Sequence, residues 1–67
     1  MKNRIRIERD LQKITQVRLA QESGVSRQTI HAIETDKYLP TLGLAFKIAK
    51  LFGISVEDVF IQEMEEK

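Results

Sequence analysis

Residues 15–34 read TQVRLAQESGVSRQTIHAIE. The apolar spacing predicts one short helix, a break at Ser23-Gly24 and a second short helix. The second half is unusual. Its first turn carries Arg27, Gln28 and Thr29, followed by His31, whereas only Ile30 and Ile33 suit a core. Two helices joined by a short glycine-containing turn make a helix-turn-helix. In that motif the second helix presents its N-terminal side chains to base edges in the major groove of DNA. Long polar groups in the first turn, with apolar anchors behind them, are what that task requires.

Each polar side chain has a reading in these terms. Arg27 suits bidentate pairing with guanine and Gln28 with adenine, Thr29 offers a methyl or a hydroxyl, and Ala32 is small enough to approach a thymine methyl. His31 lies at the groove edge. Gln16, at the N-terminus of the preceding helix, is placed for a phosphate, because helix N-termini favour anions. The same polar pattern also fits an ordinary solvated helix face.

Punctuation places the remaining helices. The chain has one proline, Pro40, and three glycines, Gly24, Gly43 and Gly53. A first helix is predicted over about 3–12, with Ile5 and Arg9 on one face and Ile7 and Leu11 on the adjoining one. Thr15 caps a second helix over about 16–23, with Leu19 and Ala20 inward, and Ser26 caps a third over about 27–34. Gly24 suits the left-handed position after a helix. Thr41 caps a fourth over about 42–52, whose inward stripe is Leu42, Ala45, Ile48, Ala49 and Phe52, with Leu44, Phe46 and Leu51 off it. Ser55 caps a fifth over about 56–62. Asp58 sits at its capping-box position, and Ile54 and Val59 form a hydrophobic staple. No strand pattern competes, so the chain reads as all-α, a compact bundle of five short helices.

The 67 residues make a single domain, 1–67, with an acidic tail over about 61–67. A domain this small buries only about 60% of its unfolded surface. With no cysteine, neither disulfides nor a thiolate zinc site reinforce it. No apolar run approaches the roughly 20 residues of a membrane span, and no secretory segment opens the chain. A soluble, cytoplasmic protein is expected. Net charge is only +1, but residues 1–18 carry six basic and two acidic side chains, and residues 57–67 one basic and five acidic. The basic end suits a polyanion, and the tail would be repelled by one.

The segments ITQVRLAQESGVSRQTIHAIE and KYLPTLGLAFKIAKLFGISVEDVF closely resemble the phage-repressor and Cro-type helix-turn-helix regulators, the xenobiotic-response-element family. The resemblance covers about residues 3–60 and implies a lambda-repressor-like fold with the motif in helices 2 and 3. It assigns base reading to Arg27 and Gln28 and phosphate contact to Gln16; Thr29, His31 and Ala32 join Arg27 and Gln28 in the expected base-reading set on their chemistry and position alone. The loop after helix 3, Thr35 to Tyr38 with Lys37 as its cation, is implied to lie along the DNA backbone, joined by Thr41 and Leu42. Tyr38 has a second reading, as a cover for helix 4 beside Pro40. Arg9 and Glu34 match a largely buried ion pair. The family binds DNA as dimers through helix 5 and the preceding loop, here Ile54, Val56, Glu57, Phe60 and Ile61.

Three departures stand out. Lys13 and Asp36 occupy turn positions where the family often has glycine, and Val17 stands where an acid is frequent. The expected function is a sequence-specific transcriptional regulator, a repressor binding a near-palindromic duplex operator as a homodimer. It would have no cofactor, no metal, no membrane partner and no small-molecule effector domain. The alternative is a protein-binding module of the same fold, antitoxin-like or coactivator-like. Catalysis has few parts: one histidine, no cysteine and no phosphate-cradling glycine loop.

Overall fold

A computed structural model describes residues 2–61. In chain order the elements are β1 (Lys2–Asn3), α1 (Ile5–Gln12), α2 (Gln16–Ser23), α3 (Arg27–Glu34), α4 (Leu42–Phe52), α5 (Val56–Val59) and β2 (Phe60–Ile61). The fold is the expected five-helix arrangement. The acidic tail beyond Ile61 lies outside the described residues.

Side-chain oxygens start four of the helices as the sequence predicts. Thr15 Oγ1 accepts from Arg18 N at 3.0 Å, Ser26 Oγ from Thr29 N at 3.1 Å, Thr41 Oγ1 from Leu44 N at 3.2 Å and Ser55 Oγ from Asp58 N at 3.3 Å. Each satisfies an amide that has no intrahelical partner. Gly24 and Gly53 end α2 and α4 in the left-handed region, at φ 78° and 76°. Lys13 (φ 59°) and Asp36 (φ 66°) hold the same conformation at the two turns where the family pattern has glycine.

The core is Ile5, Leu19, Ala20, Ile30, Ile33, Ala45, Ile48, Ala49, Phe52, Val59 and Phe60. It draws on α1 to α5 and closes at β2. Three expectations change. Helix 1 begins at Ile5 rather than Asn3, and helix 5 ends at Val59 rather than Gln62. The reason is common to both: the chain ends pair as a two-residue antiparallel ribbon, Lys2 opposite Ile61 and Asn3 opposite Phe60. Arg4 N adds a 2.7 Å bond to Val59 O. Phe60 adopts extended geometry, φ −110° and ψ 102°, and so leaves the helix.

The Asn3 side chain reinforces this closure. Its Nδ2 donates to Ile33 O at 2.8 Å and its Oδ1 accepts from Ile5 N at 3.1 Å. The third change concerns helix 4. Leu42 is 69% exposed and not inward, because its position in the first turn overshoots the end of the core. Leu44 and Leu51 instead pack partly against the core, and Phe46 is exposed. Among the described residues no helix is long and apolar enough to cross a membrane.

Among the described residues one buried side-chain polar atom is unpaired. Ser23, at the end of α2, is 2% exposed and its Oγ has no hydrogen-bond partner. A buried hydroxyl without a partner costs about 1–3 kcal/mol, while a methyl in its place costs nothing in hydrogen bonding. Ser23→Ala is therefore expected to raise stability by about 1 kcal/mol or more. For a domain of this size that is a melting temperature roughly 4–8 °C higher, readable by circular dichroism.

Candidate nucleic-acid interface

Arg9 and Glu34 form the best-buried ion pair among the described residues, with side chains 12% and 5% exposed. Arg9 Nε donates to Glu34 Oε2 at 2.6 Å and Nη2 to Oε1 at 3.3 Å. A third donor, Nη1, reaches Ile14 O at 3.0 Å. The guanidinium thus ties α1 to the end of α3 and to the chain entering α2. Its planar fork makes such a bidentate arrangement directional, which a lysine ammonium would not.

Gln16 extends this pair toward the surface. Its Nε2 donates to Glu34 Oε1 at 2.9 Å, and its Oε1 accepts from Arg27 Nη1 at 3.2 Å. The carboxylate, held by Arg9, only accepts, so it fixes which end of the Gln16 amide faces inward. The carbonyl is left to hold Arg27. A longer contact, 3.4 Å, runs from Gln16 Nε2 to His31 Nδ1. The first side chain of α3 is therefore anchored, through one amide, on a buried ion pair.

Arg27, Gln28 and His31 are exposed and together line one shallow depression. Thr29 and Ala32 are half-buried. The Thr29 hydroxyl shares a 3.0 Å hydrogen bond with Ser26 Oγ, so it serves the helix cap as well as the surface. A neighbouring cleft of about 380 Å³ is lined by Arg6, Arg9, Gln16, Arg27, His31, Glu34 and Thr35. Lys37 and Tyr38 are exposed and line a separate depression with Asp36 and Leu39. Thr41 is exposed at the start of α4, its oxygen engaged in the cap.

Thr35 is less available to a phosphate than its position in sequence suggests. Its hydroxyl donates back to His31 O at 2.9 Å, with Ala32 O at 3.3 Å, and its backbone N–H donates to His31 O at 3.0 Å. Both of its donors close the end of α3. Tyr38 is 48% exposed, and a leucine that sequence reasoning did not name, Leu39, stands next to Pro40 in an apolar cleft.

The residues expected at a dimer contact divide between two surfaces. Val56 and Phe60 line an apolar cleft of about 250 Å³ with Leu39, Pro40, Leu42 and Ala45. Phe60 is at the same time a core residue, only 7% exposed, so it forms the floor rather than a projecting contact. Ile54 and Glu57 face a different, polar depression with Arg4, Glu8 and Asp58. The Ile61 side chain lies outside the described residues. Sequence reasoning missed Leu39 as part of the cleft and read Leu42 as core. An exposed leucine on each side of Pro40 was the available signal.

The helix-turn-helix family model matches residues 5–59, from the first residue of α1 to the last of α5. The chain belongs to the helix-turn-helix family. An HTH-type transcriptional regulator of Methanocaldococcus jannaschii is 58% identical over 66 residues, 98% of this chain and 100% of the relative. The HTH-type regulator YgzD of Bacillus subtilis is 45% identical over 65 residues, 97% of this chain and 98% of the relative. The immunity repressor protein of Bacillus phage phi105 is 37% identical over 60 residues, 90% of this chain but 42% of that protein. This helix-turn-helix protein is a DNA-binding transcriptional regulator, not an enzyme.

In this helix-turn-helix domain the ion pair is the member of the network with most to lose. Removing one partner of a buried pair leaves an uncompensated charge at a cost of about 3–5 kcal/mol. Arg9→Ala is expected to cost that much in urea unfolding, a large part of the stability of a small domain. Glu34→Gln, which keeps the shape and one acceptor, is expected to cost less.

Proposed function

We propose that this protein is a repressor that binds a near-palindromic duplex operator as a two-fold homodimer and reads bases in the major groove with α3. The observation that carries the reading is the exposed Arg27–Gln28–His31 face, with Arg27 held by Gln16 on the buried Arg9–Glu34 pair. Ordering a long exposed side chain costs entropy. Pre-orientation lowers the ordering cost when a bidentate contact to guanine forms. Lys37 and Tyr38 flank this face on the loop after α3 and are assigned to the phosphates. The resemblance to a phage immunity repressor supports repression as the outcome.

The apolar cleft supports the dimer. Leu39 and Leu42 are 63% and 69% exposed beside Val56, an arrangement that a second copy would cover. One helix-turn-helix reads few base pairs, and two-fold pairing sets two reading helices about 34 Å apart, one turn of DNA.

Selection of bound sequences from random duplex DNA tests the whole reading. The expected result is a discrete site with two-fold symmetry. Salt-sensitive binding without base preference would overturn it in favour of a protein-binding module. On the selected site, Arg27→Ala or Gln28→Ala is expected to cost about 1–3 kcal/mol per half-site and to relax preference at one base pair. Lys37→Ala is expected to weaken all sequences alike and flatten the salt dependence.

The dimer has its own test. Val56→Glu, which sets a carboxylate in the apolar cleft, is expected to lower operator affinity while circular dichroism shows the fold retained. Sedimentation with operator present reads the stoichiometry. A variant that still binds as a tight dimer would remove this cleft from the interface.

A further inference from the structure

The cleft between α1 and the end of α3 contains a cation that no other described residue engages. Arg6 is exposed and forms no hydrogen bond or ion pair among the described residues. The other charges lining the cleft are accounted for. Arg9 and Glu34 neutralise each other, and Arg27 is held by Gln16. Nearby on α1, Glu8 faces Arg4 at 3.9 Å, and Asp10, one turn beyond Arg6, makes no ion pair with it.

The cleft therefore has a net positive rim, Arg6 and Arg27, around a neutralised floor. Its volume of about 380 Å³ opens beside the reading face. Thr35, the neutral donor at this wall, has its hydroxyl and its N–H committed to the end of α3. An anion entering here meets two guanidiniums, and Arg6 is the one with no hydrogen bond or ion pair among the described residues.

We propose that this cleft seats one phosphodiester of the DNA backbone, with Arg6 as its charged ligand. The assignment rests on α3 lying in the major groove, as proposed above. With α3 so docked, the cleft adjoins the DNA strand that flanks the groove. The guanidinium offers two parallel N–H donors to the phosphate oxygens, a geometry suited to this ligand. It positions the protein on the duplex and carries no sequence information of its own. The contact that sequence reasoning gave to Thr35 passes to Arg6, across the same cleft.

The test uses the selected operator and the full chain. Arg6→Ala is expected to weaken operator and unrelated duplex by the same factor. It should also reduce the slope of log K against log salt by about 0.9 for each bound protomer. Arg6→Lys should restore most of the slope. Because Arg6 is exposed and has no partner among the described residues, the melting temperature should not change.

Single methylphosphonate substitutions, scanned along the operator, then locate the contact. At one phosphate per half-site the neutral linkage should weaken the unmodified protein and have no further effect on Arg6→Ala. An unchanged slope in Arg6→Ala, or equal losses in both proteins at every position, would overturn the proposal. Shifts of the Arg6 Nε–H resonance with inorganic phosphate, together with an unchanged DNA salt slope, would mark an adventitious anion site and also overturn it. Arg27→Ala run in parallel separates the two readings. Lost base preference there with no effect of Arg6→Ala refutes the phosphate seat alone, whereas no effect of either variant refutes the docking of α3 as well.

Discussion

The arrangement of this domain depends on one ion pair, Arg9 with Glu34, sheltered from solvent between α1 and α3. A buried pair is a poor source of net stability, because desolvating both charges offsets most of their attraction. Its effect is positional. The arginine fork accepts a narrow range of geometries, and its third donor is used on the carbonyl of Ile14 just before α2. α1, the chain entering α2 and the end of α3 are therefore held in one register by a single guanidinium. Gln16 passes that register to the surface, since its amide is oriented by the carboxylate on one side and holds Arg27 on the other.

A second constraint is size. Among the described residues eleven buried apolar side chains form the core, and the chain has no cysteine to cross-link it. The chain compensates by closing its ends. The β1–β2 pairing, the Arg4 amide on Val59 O and the Asn3 side chain on Ile33 O tie the first residues to α3 and α5. Gln12 Nε2 donates to Phe52 O at 3.0 Å and does the same between α1 and the end of α4. These polar clasps supply long-range order that a larger domain would draw from apolar burial.

The surface is divided by the same economy. One region is polar and basic, built from Arg6, Gln16, Arg27, Gln28 and His31. Another, at the α4–α5 end, is apolar, built from Leu39, Pro40, Leu42, Val56 and Phe60. Under the proposed function, base contact and subunit contact make opposite demands on hydration, and the two surfaces lie on separate elements. The unpaired hydroxyl of Ser23 is an exception to the general polar economy, and nothing in the fold explains it.

The sequence by itself determined the elements that depend on neighbouring residues. The caps at Thr15, Ser26, Thr41 and Ser55 and the left-handed turns at Gly24 and Gly53 are local chemistry, and each lies where its residue type places it. The inward positions of α2 and α3 follow from period alone. The tertiary structure decided what depends on partners distant in the chain. Ribbon pairing between the first and last described residues shortened helices 1 and 5, because extended backbone finds hydrogen bonds there that a helix end lacks. Leu42 lies on the helical stripe yet beyond the reach of the core, a fact about where α4 ends relative to its neighbours. Thr35 looked free in sequence and is committed by its own helix, while Arg6, one charge among six in the basic first eighteen residues, is distinguished only by the cleft that α1 and α3 enclose. Local propensity is set within one helical turn; the availability of a donor is settled only after every competing acceptor has been brought to its place.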